Sequence, residues 1–329
     1  MIGTNAKGQP LFGDYQWETY RQANEDVENL AKGMIALKLA PEVEGEDQKW
    51  RFIGIWSKNR AEWAKTLLSC MHYKMTTVGF YDAMGVSQVE YILNQTEMTT
   101  IFGTADYAKK ILDMQETGKA SKIKNLVIIG ATTIDDELKA KAEARGTALT
   151  KFEDVITVGK SNSSSPSITP KPEDVYVLSY TSGTTGDSKG VKLSHANLMA
   201  AAKAGAKNTD LQAGESVISY LPFTHSFEQG MFSFSVYRGL KIGFYQGNPL
   251  KLVEDCAALK PVIFPSVPRL YNKIYGALQA RFEALTGCKR WLLNRGLAAK
   301  QANLATTGAV RHGCYDTLLF GKAAGMLGG

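Results

Sequence analysis

The sequence predicts an α/β fold. Short apolar runs of strand character alternate with stretches of three- and four-residue helical periodicity, and 44% hydrophobic content over 329 residues supports a substantial core. No apolar run reaches the roughly 20 residues that a membrane-spanning helix needs, and Met1 to Gly8 lacks the apolar centre of a secretory signal. The formal charge of +6 comes from 38 basic and 32 acidic residues that are interspersed. That balance suits an anionic nucleotide or a lipid surface and does not favour nucleic acid. Cys70, Cys256, Cys288 and Cys314 are widely spaced without a CxxC pair, which argues for a reducing compartment and against a zinc cluster or disulfide framework.

Residues 1 to 16 form an irregular opening. Tyr20, Ala23, Val27, Leu30, Met34 and Leu37 then recur at helical spacing, predicting a helix over 20–38 with Thr19 as its N-cap. The acidic stretch Glu42 to Asp47, flanked by Pro41 and containing Gly45, reads as a solvent loop. Arg51 to Trp56 reads as a buried strand, Asn59 to Met71 as a helix and Thr76 to Tyr81 as a second strand, giving a right-handed βαβ unit. Trp63 and Phe80 are assigned to the core, and His72 has no sequence partner that makes it a base or ligand.

The alternation continues with a helix over Val86 to Asn94, a strand over Thr99 to Gly103 and a helix over Tyr107 to Met114. A strand over Lys124 to Ile129 and a helix over Asp135 to Arg145 follow. Lys119, Lys122 and Lys124 are read as surface cations. Lys160 to Lys171, rich in serine and proline, is the clearest polar break.

Val175 to Tyr180 is strand-like and runs into Tyr180-Thr-Ser-Gly-Thr-Thr-Gly-Asp-Ser-Lys-Gly190, ahead of a helical pattern that starts near His195 with Ser194 as cap. Gly183, Gly186 and Gly190 let backbone N–H groups approach an anion. The hydroxyls of Thr181, Ser182, Thr184, Thr185 and Ser188 add donors, and Lys189 adds positive charge. The G-x-G-x-x-G spacing is absent. Ser188 and Gly190 also break the Walker pattern, so the loop matches neither standard nucleotide signature.

Val217 to Leu221 reads as a strand that delivers Pro222-Phe-Thr-His-Ser-Phe-Glu228 at its C-terminal end, where open α/β sheets place ligand groups. His225, Ser226 and Glu228 do not form a hydrolase site, because the Gly-x-Ser-x-Gly elbow is missing. Met231 to Tyr237 carries large side chains that either line a tunnel or fill the core. Lys241 to Tyr245 reads as a strand, Leu250 to Leu259 as a helix and Pro261 to Phe264 as a further strand. Pro265 and Pro268 stiffen the path to Arg269, and residues 273–327 are helix-compatible. Lys289 and Arg290 beside Trp291 read as an amphipathic helix edge rather than a nucleic-acid site.

The central loop resembles the phosphate-loop signature of the adenylate-forming, AMP-binding superfamily. Trp17-Glu-Thr-Tyr20, Asn59-Arg-Ala-Glu-Trp63, Leu221 to Glu228 and Pro265-Ser-Val-Pro-Arg-Leu270 extend the likeness, which is strongest to long-chain acyl-CoA synthetases. The resemblance implies an incomplete large N-terminal adenylation domain over 1–329, with layered β-sheets flanked by helices and an external connection between lobes at 160–172. It implies phosphate binding by Thr181, Ser182, Gly183, Thr184, Thr185, Gly186, Lys189 and Gly190. His225 and Glu228 would border the acyl-adenylate, with Pro265, Pro268 and Arg269 as a supporting motif; metal ligands are not assigned.

The implied chemistry uses ATP and Mg2+, with a long-chain fatty acid and coenzyme A as the other reactants, in an intracellular setting with peripheral membrane association. Ser188 stands where the family usually carries proline. The family's later Tyr-Gly-x-Thr-Glu motif, ribose-binding aspartate, hinge and C-terminal domain have no counterpart in the chain, so catalytic incompleteness is expected. A noncatalytic nucleotide-binding or interaction fragment and a ligase for another carboxylic acid are the alternatives.

Overall fold

The computed structural model describes residues 3–4, 10–162, 168–181 and 188–325. The chain divides into two compact units. One comprises Met1–Tyr15, Gln212–Ser219 and Gly239–Gly329; the other comprises Gln16–Leu211 and Tyr220–Arg238. The first begins with a short antiparallel pair, β1 (Gly3–Thr4) and β2 (Pro10–Leu11).

The second unit opens with α1 (Tyr20–Ala36). Thr19 caps it reciprocally: its Oγ1 accepts from the Gln22 N–H at 3.2 Å, and its own N–H donates to Gln22 Oε1 at 2.8 Å. β3 (Glu42–Glu44) follows and pairs antiparallel with β4 (Lys49–Trp56). The expected acidic loop is thus partly a strand. Its charges are met across the ladder, Glu42 by Arg51 and Glu44 by Lys49, each at 3.1 Å.

After α2 (Ala61–His72) come β5 (Thr76–Gly79), α3 (Val86–Thr96), β6 (Thr100–Gly103), α4 (Ala105–Glu116) and β7 (Asn125–Ile128). Next are α5 (Asp136–Ala144), β8 (Ala148–Lys151), α6 (Phe152–Ser161), β9 (Val175–Thr181), β10 (Lys189–Ser194) and α7 (His195–Lys207). Among the described residues the sheet has eight strands, in the order β10-β9-β5-β4-β6-β7-β8, with β3 on β4. Ladders from β9 through β8 are parallel, while β9–β10 and β3–β4 are antiparallel.

Every residue of β5 and β6 is buried, as expected for parallel strands covered on both faces. Trp63 and Phe80 lie in the core, as the sequence implied. Lys119 and Lys122 are surface cations paired with Glu90 and Glu97.

The sequence reading passed over β8, α6 and β10. α6 packs closely on α1. A Cβ added at Gly33 would stand 1.9 Å from the Val155 carbonyl oxygen, and one at Gly159 would stand 1.7 Å from the Asn29 carbonyl oxygen. Only glycine at both positions lets the two backbones approach this closely.

In the other unit, β11 (Ser216–Ser219) lies parallel to β12 (Lys241–Phe244), and between them in sequence runs α8 (Ser226–Arg238) of the second unit. The strand expected over Pro261 to Phe264 reduces to a single bridge from Ile263 to Val217. Pro261 has no N–H to give, and Pro265 ends the segment, so no longer ladder forms. A 3-10 turn (Pro249–Lys251) precedes α9 (Leu252–Leu259), and α10 (Pro268–Glu283) and α11 (Gly287–Thr307) follow. Short helical turns then continue to Gly325. Gly308, at φ 72°, closes α11 in the left-handed conformation that glycine favours. Among the described residues, no helix is long and apolar enough to cross a membrane.

Candidate functional site

The donor-rich segment lies in sequence between two strands that pair antiparallel. β9 leaves the buried sheet at Thr181, β10 returns at Lys189, and these two residues are register partners. Both are exposed, which puts a hydroxyl and an ammonium group side by side at the base of the turn. Ser182, Gly183, Thr184, Thr185 and Gly186 lie outside the described residues. Gly190 sits within β10, outside the left-handed region, opposite Tyr180. An added Cβ there would stand 3.2 Å from the Tyr180 ring, so this glycine makes room for an aromatic side chain. Tyr180 is itself fixed, its hydroxyl donating to Gln95 Oε1 at 2.6 Å.

His195 belongs to the other end of the hairpin. Ser194 is the register partner of Val175, roughly 20 Å of strand from Thr181 at about 3.3 Å per residue. Burial pushes the His195 imidazole below its usual range, partly offset by nearby Asp174. A cavity of about 330 Å³ also lies at this end, lined by Pro170, Lys171, Pro172, His195, Ala196 and Met199. The polar break predicted at 160–172 runs from α6 towards β9, both in the same unit; residues 163–167 lie outside the described residues.

The segment from Pro222 to Glu228 also belongs to this unit, and it is anchored at the C-terminal ends of β5 and β9. Thr224 Oγ1 makes a long contact of 3.5 Å to the Phe80 carbonyl, and Ser179 Oγ makes another of 3.5 Å to the Thr224 carbonyl. Gly79, the last residue of β5, permits this approach: an added Cβ would lie 3.0 Å from two Thr224 side-chain atoms. His225 is therefore brought towards the hairpin end of β9. It is exposed, and its Nδ1 accepts from the Phe227 N–H at 3.1 Å. In the neutral ring this leaves the proton on Nε2, ready to donate.

Glu228, in the first turn of α8, is 3% exposed, and Asn59 Nδ2 lies 3.3 Å from its Oε1. Asn59 also donates to the Leu221 carbonyl at 2.6 Å and accepts from the Phe223 N–H at 2.9 Å. Gln229 donates to the Phe223 carbonyl at 2.7 Å and accepts from the Tyr176 hydroxyl at 2.9 Å. Sequence reasoning assigned no site role to Asn59, Tyr176 or Gln229. Asn59 did stand in a motif that carried the resemblance, which was the one available signal. Phe232 and Phe234 are buried, Phe232 edge-on to Phe223 at 5.2 Å and Phe234 against Gly205, so both fill the core of this unit.

Pro265, Pro268 and Arg269 belong to the other unit. Pro265 is buried, and Pro268 occupies the first turn of α10, where its missing N–H costs nothing. Arg269 is exposed beside it. Tyr271 donates from its hydroxyl to the Phe264 carbonyl at 2.8 Å and holds the segment that leads into the helix.

A mostly parallel sheet flanked by helices, with the antiparallel β9–β10 pair at its edge, defines an α/β domain of the adenylation type. Solved structures share that fold. The adenylation domain of a carboxylate reductase from Mycobacterium chelonae superposes with a TM-score of 0.72 at 18% identity, over 86% of this chain and 45% of that one. The A domain of a carboxylic acid reductase from Segniliparus rugosus, solved with AMP and a co-purified carboxylic acid, gives 0.69 at 16% identity, over 86% and 47%.

The profile of the AMP-binding enzymes matches residues 4–317, and the chain belongs to that family. It is 33% identical over 334 residues to long-chain-fatty-acid–CoA ligase 5 of Mus musculus, covering 100% of this chain and 47% of the relative. It is 32% identical over 328 residues to the peroxisomal long chain acyl-CoA synthetase 6 of Arabidopsis thaliana, covering 100% and 45%. The chain thus spans about half the length of these relatives.

Proposed function

We propose that these residues form the nucleotide-activating part of a long-chain fatty acid–CoA ligase. In a protein of the relatives' full length, a fatty-acid carboxylate oxygen attacks the α-phosphorus of ATP. The new P–O bond forms as the bond to pyrophosphate breaks, giving acyl-adenylate. The sulfur of coenzyme A then attacks the acyl carbonyl, AMP leaves with the bonding electrons, and the thiol proton passes to solvent. For this chain the proposal extends to binding ATP.

The hairpin carries the proposal. Thr181 and Lys189 are held as register partners at the end of a buried sheet, so a hydroxyl donor and a cation meet the phosphates without first having to be ordered. Ser182, Gly183, Thr184, Thr185 and Gly186 would complete the phosphate contacts. His225 would donate from Nε2 to a carboxylate or adenylate oxygen, and Glu228 would act through Asn59 to hold the loop in place. Arg269, with Pro265 and Pro268, is proposed as the supporting motif.

Among the described residues, no three His, Cys, Asp or Glu side chains group to hold a metal. Mg2+ would enter bound to the nucleotide's phosphate oxygens, offsetting their charge. An intracellular setting with peripheral membrane contact suits a fatty-acid substrate.

The test is thermal stabilisation of the 329-residue chain by ATP, with and without Mg2+, against inorganic tripolyphosphate. A rise in Tm selective for ATP supports the proposal, and no rise with ATP overturns it.

A further inference from the structure

The stretch 268–329 holds nine of the chain's 38 basic residues but two of its 32 acidic ones, which outweighs the whole formal charge of +6. α11 is its extreme, carrying Lys289, Arg290, Arg295 and Lys300 with no acid. In the other unit, cations such as Lys65, Lys119, Lys122 and Lys141 are met by nearby carboxylates. On α11, Lys300 pairs with Asp316 and Arg290 donates to the Phe282 carbonyl at 2.8 Å. Lys289 and Arg295 have no carboxylate partner among the described residues.

One side of α11 is covered. Leu293 and Gly296 are buried, and an added Cβ at Gly296 would stand 3.2 Å from the Tyr315 ring and 3.1 Å from the Phe320 ring. Lys300 continues the same line, 5.1 Å from the Phe320 ring centre. Trp291, Arg295, Ala298 and Ala302 recur on the opposite line, and all four are exposed. Trp291 is 59% exposed, with the Arg295 guanidinium 5.1 Å from its ring centre. Leu297 and Leu304 flank this line and are exposed as well. The outward side thus sets large apolar groups beside cations, with no acid on the helix.

We infer that the outward face of α11 docks on an anionic lipid surface. Trp291 would sit at headgroup level, Leu297 and Leu304 would reach the acyl boundary, and Lys289 and Arg295 would meet the lipid phosphates and carboxylates. At 21 residues α11 has the length of a membrane span, but its four cations keep it out of hydrocarbon, so it lies along the surface. A second copy of the same face would set cations against cations. A nucleic acid would match the charge and leave the leucines in water. The inference rests on the peripheral membrane contact proposed above, to which it gives a surface and a lipid class, and it uses none of the nucleotide residues.

The experiment is flotation of the 329-residue chain with vesicles of phosphatidylcholine alone or mixed with phosphatidylserine. Binding is expected to the mixed vesicles and to weaken as salt is raised. Each cation near such a surface is worth about a factor of five, so Lys289→Gln combined with Arg295→Gln is expected to weaken binding roughly twentyfold. Trp291→Ala is expected to weaken it while the salt dependence persists. Lys119→Gln combined with Lys122→Gln removes the same charge from the other unit and is expected to leave binding nearly unchanged. Equal loss in that control, equal binding to both vesicles or no binding overturns the inference. Self-association without lipid that Trp291→Ala abolishes also overturns it, by making the face a contact between copies. Absence of vesicle binding while ATP still raises Tm leaves the nucleotide site standing, and vesicle binding without a rise in Tm leaves the lipid surface standing.

Discussion

Asn59 holds Phe223 across 164 positions of sequence, its amide oxygen accepting the Phe223 N–H at 2.9 Å. The same amide donates to the Leu221 carbonyl at 2.6 Å, so one buried side chain fixes two points of the loop. Asn59→Ala leaves those backbone groups without this partner in a buried setting, at about 1–3 kcal/mol for each unsatisfied group. The expected outcome is a loss of about 2–6 kcal/mol in urea unfolding, far above the roughly 0.5 kcal/mol typical of a surface change. An Asn59→Ala midpoint equal to wild type would show that the loop does not depend on this clamp.

Lys189→Ala separates binding from folding. The side chain is exposed at the start of β10, so its removal is expected to change ligand-free stability by no more than about 0.5 kcal/mol. The rise in Tm with ATP is expected to shrink markedly. Equal losses with and without ATP would remove Lys189 from the phosphate site.

Gly33→Ala and Gly159→Ala are expected to destabilise by about 1–3 kcal/mol or more, because the new methyl group meets a backbone carbonyl that cannot rotate away. Gly230→Ala provides the contrast. Nothing lies within 4 Å of a Cβ built there, and the position is inside α8, so a gain of about 0.5–1 kcal/mol is expected from helix propensity. Chemical denaturation of the three variants checks both signs.

His195 gives stability a pH dependence with a defined direction. Burial holds its folded-state pKa below the ordinary value of 6.5, so the unfolded chain takes up the proton more readily. Its contribution is intact above about 6.5 and declines as the pH falls from there towards the folded value. Asp174 is also held low despite its own burial, by the Lys171 N–H and by Lys74, and it acts in a lower window, below its ordinary 3.8. Urea midpoints at about pH 7.5 and pH 5.5 are expected to differ less for His195→Gln than for wild type. An unchanged difference would mean that this imidazole does not titrate in that range.

Much of the sheet was legible because its central strands are short apolar runs separated by amphipathic helices, and burial on both faces leaves no polar alternation to confuse them. β10 was not, because it is an edge strand with mixed character: Val191 is 44% exposed while Lys189 and Lys192 flank it on the same short segment. β3 was hidden by its acids, whose basic partners appear only once the strands pair. α6 was legible in principle, since Phe152, Val155, Ile156 and Gly159 recur at helical spacing. Of the candidate site, the donor-rich turn and the histidine segment stand in the sequence as composition and motif. The clamp made by Asn59, Tyr176 and Gln229 does not, because its bonds join residues that only the folded chain brings together.

The glycine contact between α1 and α6 has a kinetic consequence. Gly33 and Val155 are separated by about 120 residues, and closing a loop of that length costs on the order of 4 kcal/mol in chain entropy before any contact repays it. The strands between them shorten that loop as they assemble, so the two helices gain most by docking after the barrier has been crossed. Gly159→Ala is then expected to accelerate unfolding while leaving the refolding rate nearly unchanged, a signature that stopped-flow chevrons read directly. This close contact between two helix backbones would thus govern how long the folded chain lasts rather than how quickly it forms.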